Sequence, residues 1–124
     1  MTSAADALTE VLAKIAEIEG RDGHEVPKIG KYLISMTPPD HFLGRERRMW
    51  EDHVVGAIVR AVKAHQNPEN HLDDWMIDIE DGGDGSFIVF IKDRLGHKIA
   101  VGQGPLALAA ARAYRDAIGG GDRG

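Results

Sequence analysis

The sequence predicts a single α+β domain over residues 1–124: a three-stranded antiparallel β-meander packed with α-helices, in the order α-α-β-β-β-α. Three observations carry this reading. Apolar residues recur at three- and four-residue spacing before residue 65 and after residue 104, but alternate with polar ones from Trp75 onward. Short, glycine-bearing turns separate the alternating runs, which makes the strands sequential neighbours. A chain of 124 residues, 43% hydrophobic and 28% charged, can bury one core without a metal or a disulfide.

The N-terminal segment 1–20 reads as a helix at about 4–19. Ser3 is placed to cap it, with Asp6 three residues on. Leu8, Val11, Leu12, Ile15 and Ile18 form its apolar stripe, and Gly20 stops it. Gly20, Gly23, Pro27 and Gly30 break the next segment. Tyr32–Met36 is apolar and reads as a candidate fourth, short strand, ended by Pro38 and Pro39. Asp40 is a candidate cap for a second helix at about 41–65, where Trp50, Val54, Val55, Ile58, Val59 and Val62 share a face. Asn67-Pro68 ends that helix.

The period then changes to two. Trp75, Ile77 and Ile79 alternate with Met76, Asp78 and Glu80, as in a half-buried strand. Residues 81–85, Asp-Gly-Gly-Asp-Gly, form a hairpin loop. Phe87–Ile91 is apolar on both faces, which predicts a central strand covered on each side. After a turn at residues 93–96, His97–Val101 is a third strand. Gly104-Pro105 opens the last helix, with proline at its first position. Leu106, Ala109, Ala110, Ala113, Ala117 and Ile118 give that helix a narrow small-residue face. The α-β-β-β-α stretch at 50–118 is thus the expected core, and 119–124 a flexible tail.

Charge and composition narrow the function. The chain has no cysteine, which excludes disulfides and thiolate chemistry and suits a reducing cytoplasm, the compartment expected. No apolar run approaches the roughly 18 residues of a membrane span, and Met1–Ala16 lacks the apolar core of a signal peptide. The net charge of −5 is unevenly spread. Glu69, Asp73, Asp74, Asp78, Glu80, Asp81 and Asp84 fall in one stretch without Lys or Arg, and the remainder is +2. That balance argues against general affinity for nucleic acid.

No catalytic motif stands out. His24, His41, His53, His65, His71 and His97 include no H-x-H or H-x-x-x-H pair, so no metal site is expected. The acids around the 81–85 loop lack the spacing of a calcium loop and suit a plain turn. Gly102-Gln103-Gly104 lacks the third glycine and the parallel unit of a dinucleotide site. None of the three serines lies in a G-x-S-x-G elbow. The sequence therefore predicts no enzyme and no cofactor.

Two surfaces remain. Asp73, Asp74, Asp78, Glu80, Asp81 and Asp84 form a candidate acidic docking surface for a host protein with a basic face. Arg45, Arg47, Arg48, Arg60 and Lys63 form a candidate nucleic-acid-binding face on the second helix. There, Asp52 follows Arg45 and Arg48 at helical spacing and neutralises part of the charge. Trp75, Phe87 and Phe90 are apolar surface available to a homodimer.

Two resemblances add to this reading. The α-β-β-β-α order, with Gly102-Gln103-Gly104 and Ala107, Ala109, Ala110, Ala111 and Ala113, resembles double-stranded-RNA-binding domains. That family grips phosphates with lysines at the helix start, where this chain has Pro105, Leu106 and Ala107. The resemblance thus implies the topology and places RNA binding in question. Trp75–Ile91 followed by Gly102–Ile118 is similar to small phage-encoded proteins of the ABA-sandwich type. This covers the C-terminal part of the chain and implies a phage or mobile-element setting, without a common activity. The function these readings imply is a non-enzymatic interaction module, acting on a host nucleic-acid-handling or defence complex.

Overall fold

The computed structural model describes residues 4–20, 29–36, 44–64, 69 and 74–119. Its elements are α1 (Ala4–Glu19), α2 (Gly30–Ser35), α3 (Arg45–Ala64), β1 (Met76–Asp81), β2 (Phe87–Lys92), β3 (Lys98–Gly104) and α4 (Leu106–Ile118). The sheet is antiparallel in the order β1-β2-β3, the expected meander in an α+β fold. Ser3, Asp40, Asn67-Pro68 and the tail beyond Gly119 lie outside the described residues.

Small residues set the layering. α4 packs on β2 and β3 and is also in contact with α1 and α3. A helix held between two layers must be apolar almost all round. Nine of its 13 residues are buried, including Ala107, Leu108, Ala111 and Tyr114 beyond the narrow face expected. The approach to the sheet is as close as backbones permit. A Cβ on Gly102 of β3 would run into the Ala109 carbonyl and come within 2.7 Å of the Ala113 nitrogen. Alanine on one element and glycine on the other remove the side chains that would hold the layers apart. Pro105 is the N-cap (φ −52°, ψ 148°) rather than the first helical residue, and its carbonyl accepts from Ala109 N at 2.8 Å. Its fixed φ suits that extended position equally well.

Tyr32–Met36 does not join the sheet. Gly30–Ser35 is a short helix instead, and its causes lie elsewhere in the chain. The buried Glu19 carboxylate accepts the N–H groups of Ile29 and Gly30 at 3.1 and 2.9 Å, satisfying donors that a helix start leaves free. Gly30 rests on α1, where a Cβ would lie 2.6 Å from Ala16 N. Leu33 is fully buried, and its carbonyl accepts the Trp50 indole N–H at 3.0 Å. Tyr32 and Met36 face solvent.

α3 starts at Arg45, directly after Gly44, whose φ of 76° ends any helix continuing from upstream. Trp50, Val54, Ala57, Ile58, Ala61 and Val62 form its buried side. They join the α1 stripe, Val89, Ile91 and the inner faces of α4 in one core.

Candidate functional site

Strand register decides what the sheet shows to solvent. Residues directly opposite each other in neighbouring strands share a face. Ile79–Val89–Gly102 and Ile77–Ile91–Ala100 form the rows turned to the helices, although Ile79, on the edge strand, is itself 43% exposed. Three rows point the other way: Glu80–Ile88–Gln103, Asp78–Phe90–Val101 and Met76–Lys92–Lys98. A register irregularity beside Ile91 and Lys92 brings Lys98, rather than Ile99, opposite Lys92.

β2 is central, as expected, but only one of its faces lies under helices among the described residues. On the other, Ile88 and Phe90 are half-buried, while Val101 and Met76 are 43% and 51% exposed. The physical substitute for a covering layer is two lysines. The Lys92 and Lys98 ammonium groups lie 5.2 and 4.6 Å from the centroid of the Phe90 ring. Their alkyl stems shield the ring while their charges stay wet. Of the three aromatic residues expected to expose apolar surface, only Phe90 occupies this face. Trp75 packs against the core, and Phe87 falls in a row turned to the helices.

The acidic residues separate into two groups. Asp74 is 4% exposed and pairs with Arg94 at 3.5 Å, so its charge is spent inside the fold. Asp78 lies on the open face and bridges to Lys92 at 2.9 Å. Glu80, Asp81 and Asp84 are exposed at the turn end of the β1–β2 hairpin and have no ion pair among the described residues. Asp73 lies outside the described residues. The turn holds Asp81 and Asp84 in place. Asp81 accepts from Gly83 N at 2.7 Å, and Asp84 accepts from the Ser86 hydroxyl at 2.5 Å and from its N–H at 3.4 Å. The Ser86 hydroxyl, and then its N–H, keep the Asp84 carboxyl below its ordinary range.

The opposite end of the face is basic, with Lys92, Lys98 and the exposed Arg94. Asp93 organises this turn by accepting from Leu95 N and His97 N, each at 2.9 Å. Partial desolvation pushes its carboxyl up, but those two N–H groups and the His97 ring, 3.3 Å away, outweigh it and lower the pKa.

On α3, Arg45, Arg48, Arg60 and Lys63 are exposed on the side away from the core, with exposed Asp52 among them. Arg47 leaves this group: its guanidinium lies 5.2 Å from the centroid of Trp50. Of the six histidines, only His53 and His97 are described. His53 meets the edge of Tyr32 at 5.7 Å between ring centroids, with Nε2 3.3 Å from the hydroxyl.

Sequence reasoning missed two features. One is the pair of lysines over Phe90, whose signal was their placement on either side of a tight turn. The other is Glu19, which continues the spacing of Leu8, Leu12 and Ile15 and therefore points inward. It lies near Tyr114, whose buried hydroxyl has no hydrogen-bond partner among the described residues. Burial first, and the Glu19 charge second, push the Tyr114 pKa above its ordinary value. No helix of the described residues is long and apolar enough to cross a membrane. No protein family, curated protein or solved structure matches this chain.

Proposed function

We propose that the chain is a non-enzymatic interaction module of phage or mobile-element type, which binds a basic surface of a host protein. Its target in this reading is a nucleic-acid-handling or defence complex. The observation that supports it is the exposed acidic hairpin end, where Glu80, Asp81 and Asp84 stand without a cation among the described residues. Charges of one sign on a rigid turn steer a partner of opposite sign and set the rate and selectivity of its approach. The setting rests on the ABA-sandwich resemblance of the hairpin and α4. The test is capture of a partner from host lysate at low and high salt, with the chain and with E80Q/D81N/D84N. Loss of the partner in the triple variant supports the reading, and equal recovery ends it.

A second reading is nucleic-acid binding by α3, favoured by the common exposed side of Arg45, Arg48, Arg60 and Lys63. A salt titration with DNA and RNA tests it. No binding at about 50 mM salt, where phosphate contacts are strongest, removes it.

A further inference from the structure

We propose that a cavity at the basic end of the sheet binds a small phosphate-bearing ligand with a flat ring, of which a nucleoside monophosphate is the simplest. The cavity lies between the last turn of α3, the start of β1 and the β2–β3 turn. Its volume is about 510 Å³, and Lys63, Asp74, Trp75, Met76 and Arg94 line it. That size falls within the usual range of small-molecule sites, roughly 300–1,000 Å³.

Each kind of side chain there suits one part of such a ligand. Lys63 and Arg94 are exposed cations. Lys63 has no ion pair among the described residues. Arg94 pairs through Nη2 with the Asp74 carboxylate at 3.5 Å and makes no other ion pair or hydrogen bond among the described residues. A guanidinium carries its N–H donors in a planar fork, so one carboxylate leaves donors for a phosphate. Asp74 is buried. Burying a carboxylate beside an exposed partner costs desolvation and returns little stability. What the pair does secure is the place of the guanidinium on the cavity wall. Half-buried Trp75 and exposed Met76 add apolar surface on which a flat ring can pack. Lys63, Arg94 and Asp74 together leave one net positive charge in the lining. Lys92, opposite Met76, is neutralised by Asp78 and adds nothing, whereas Lys98, next in that row, has no ion pair among the described residues.

Charge favours a single nucleotide over a strand of nucleic acid. One phosphate meets Lys63 and Arg94, but every further phosphate meets a chain of net charge −5, with Asp78 and Glu80 farther along the sheet. The inference does not rest on the proposed function. It uses the end of the sheet opposite Glu80, Asp81 and Asp84, and its test needs only the purified chain.

The experiment is a titration of the nitrogen-15-labelled full chain with adenosine monophosphate at about 50 mM salt, read by NMR at the two tryptophan indole N–H signals. Trp50 is buried and bonded to the Leu33 carbonyl, so its signal is the internal control. A saturable shift of the Trp75 signal is expected with Trp50 unmoved, and a dissociation constant of about 0.1–1 mM for so open a site. Inorganic phosphate and adenosine should each bind about tenfold more weakly, since each makes only part of the contacts. Lys63→Gln and Arg94→Gln should each weaken adenosine monophosphate about tenfold. Both residues are exposed, so the variants should fold, which circular dichroism checks. A short adenylate strand should bind no more tightly than the monophosphate. The inference is overturned by no Trp75 shift at about 10 mM ligand, or by a shift that Trp50 shares. Phosphate alone binding as well as the nucleotide overturns it too, as do variants without effect or a strand bound about tenfold more tightly.

Discussion

The two faces of the sheet solve the same problem in opposite ways. Towards the helices, side chains have been reduced until backbones touch: Gly102 meets α4 where Ala109 and Ala113 leave room. Away from them, side chains have been lengthened: Lys92 and Lys98 reach over Phe90 in place of a packed layer. The first solution is rigid and intolerant of added atoms, because a dense interior has nowhere to move them. The second is soft, since long, partly exposed lysine side chains can rearrange around an added or lost atom. Tolerance to mutation should therefore differ sharply across a sheet one residue thick.

The largest effect is expected from Gly102→Ala. The new methyl group would strike the α4 backbone, so a loss of about 3 kcal/mol or more is expected in urea denaturation. A loss below about 1 kcal/mol would mean that the two layers can slide apart. Next is Glu19→Ala, which removes the acceptor of two N–H groups at the start of α2. A cost of about 2 kcal/mol is expected, and Glu19→Gln should cost less because one amide oxygen remains.

Tyr114→Phe should act with the opposite sign. It deletes a buried hydroxyl that has no partner among the described residues and should raise stability by about 1 kcal/mol. The pH dependence follows from the raised pKa. The neutral phenol is the form that folding favours, so its contribution is complete below the unfolded value near 10 and is lost as pH rises beyond it. Stability measured from pH 9 to 11 should fall less in the phenylalanine variant than in the parent.

On the open face, Phe90→Ser should change monomer stability by about 1 kcal/mol or less. A larger loss would show that the two faces are not so different after all. The smallest effect concerns the turns. Asp84 and Asp93 have lowered pKa values, so their support is present above the unfolded value near 4 and is lost as pH falls through the folded one. Amide exchange at Ser86, Leu95 and His97 should quicken below that range before the core responds.

The same contrast explains what was readable beforehand. α1, α3 and the meander follow from periodicity, because each has one dry and one wet side that the sequence repeats. α2 escaped because its stability is not local: Glu19 caps it, Ala16 admits Gly30, and Trp50 takes the Leu33 carbonyl. Propensity arguments cannot detect a helix built by distant partners. The full burial of α4 was underestimated because alanine is compatible with either an exposed or a buried position. Among the candidate site residues, composition identified the acidic stretch. Only folding separated Asp74, buried beside Arg94, from Glu80, Asp81 and Asp84 in water.

The central place of α4 also bears on synthesis. It follows the other described elements in chain order, yet α1, α3 and the sheet all pack on it. At ~5–20 residues per second, its 13 residues trail β3 from the ribosome by about a second. During that interval the meander is made while Val89 and Ile91 still lack their cover. The charges of Glu80, Asp81 and Asp84, already present at the hairpin end, then oppose pairing with other nascent chains. The newborn sheet is thus kept apart from its neighbours until its own last helix closes over it.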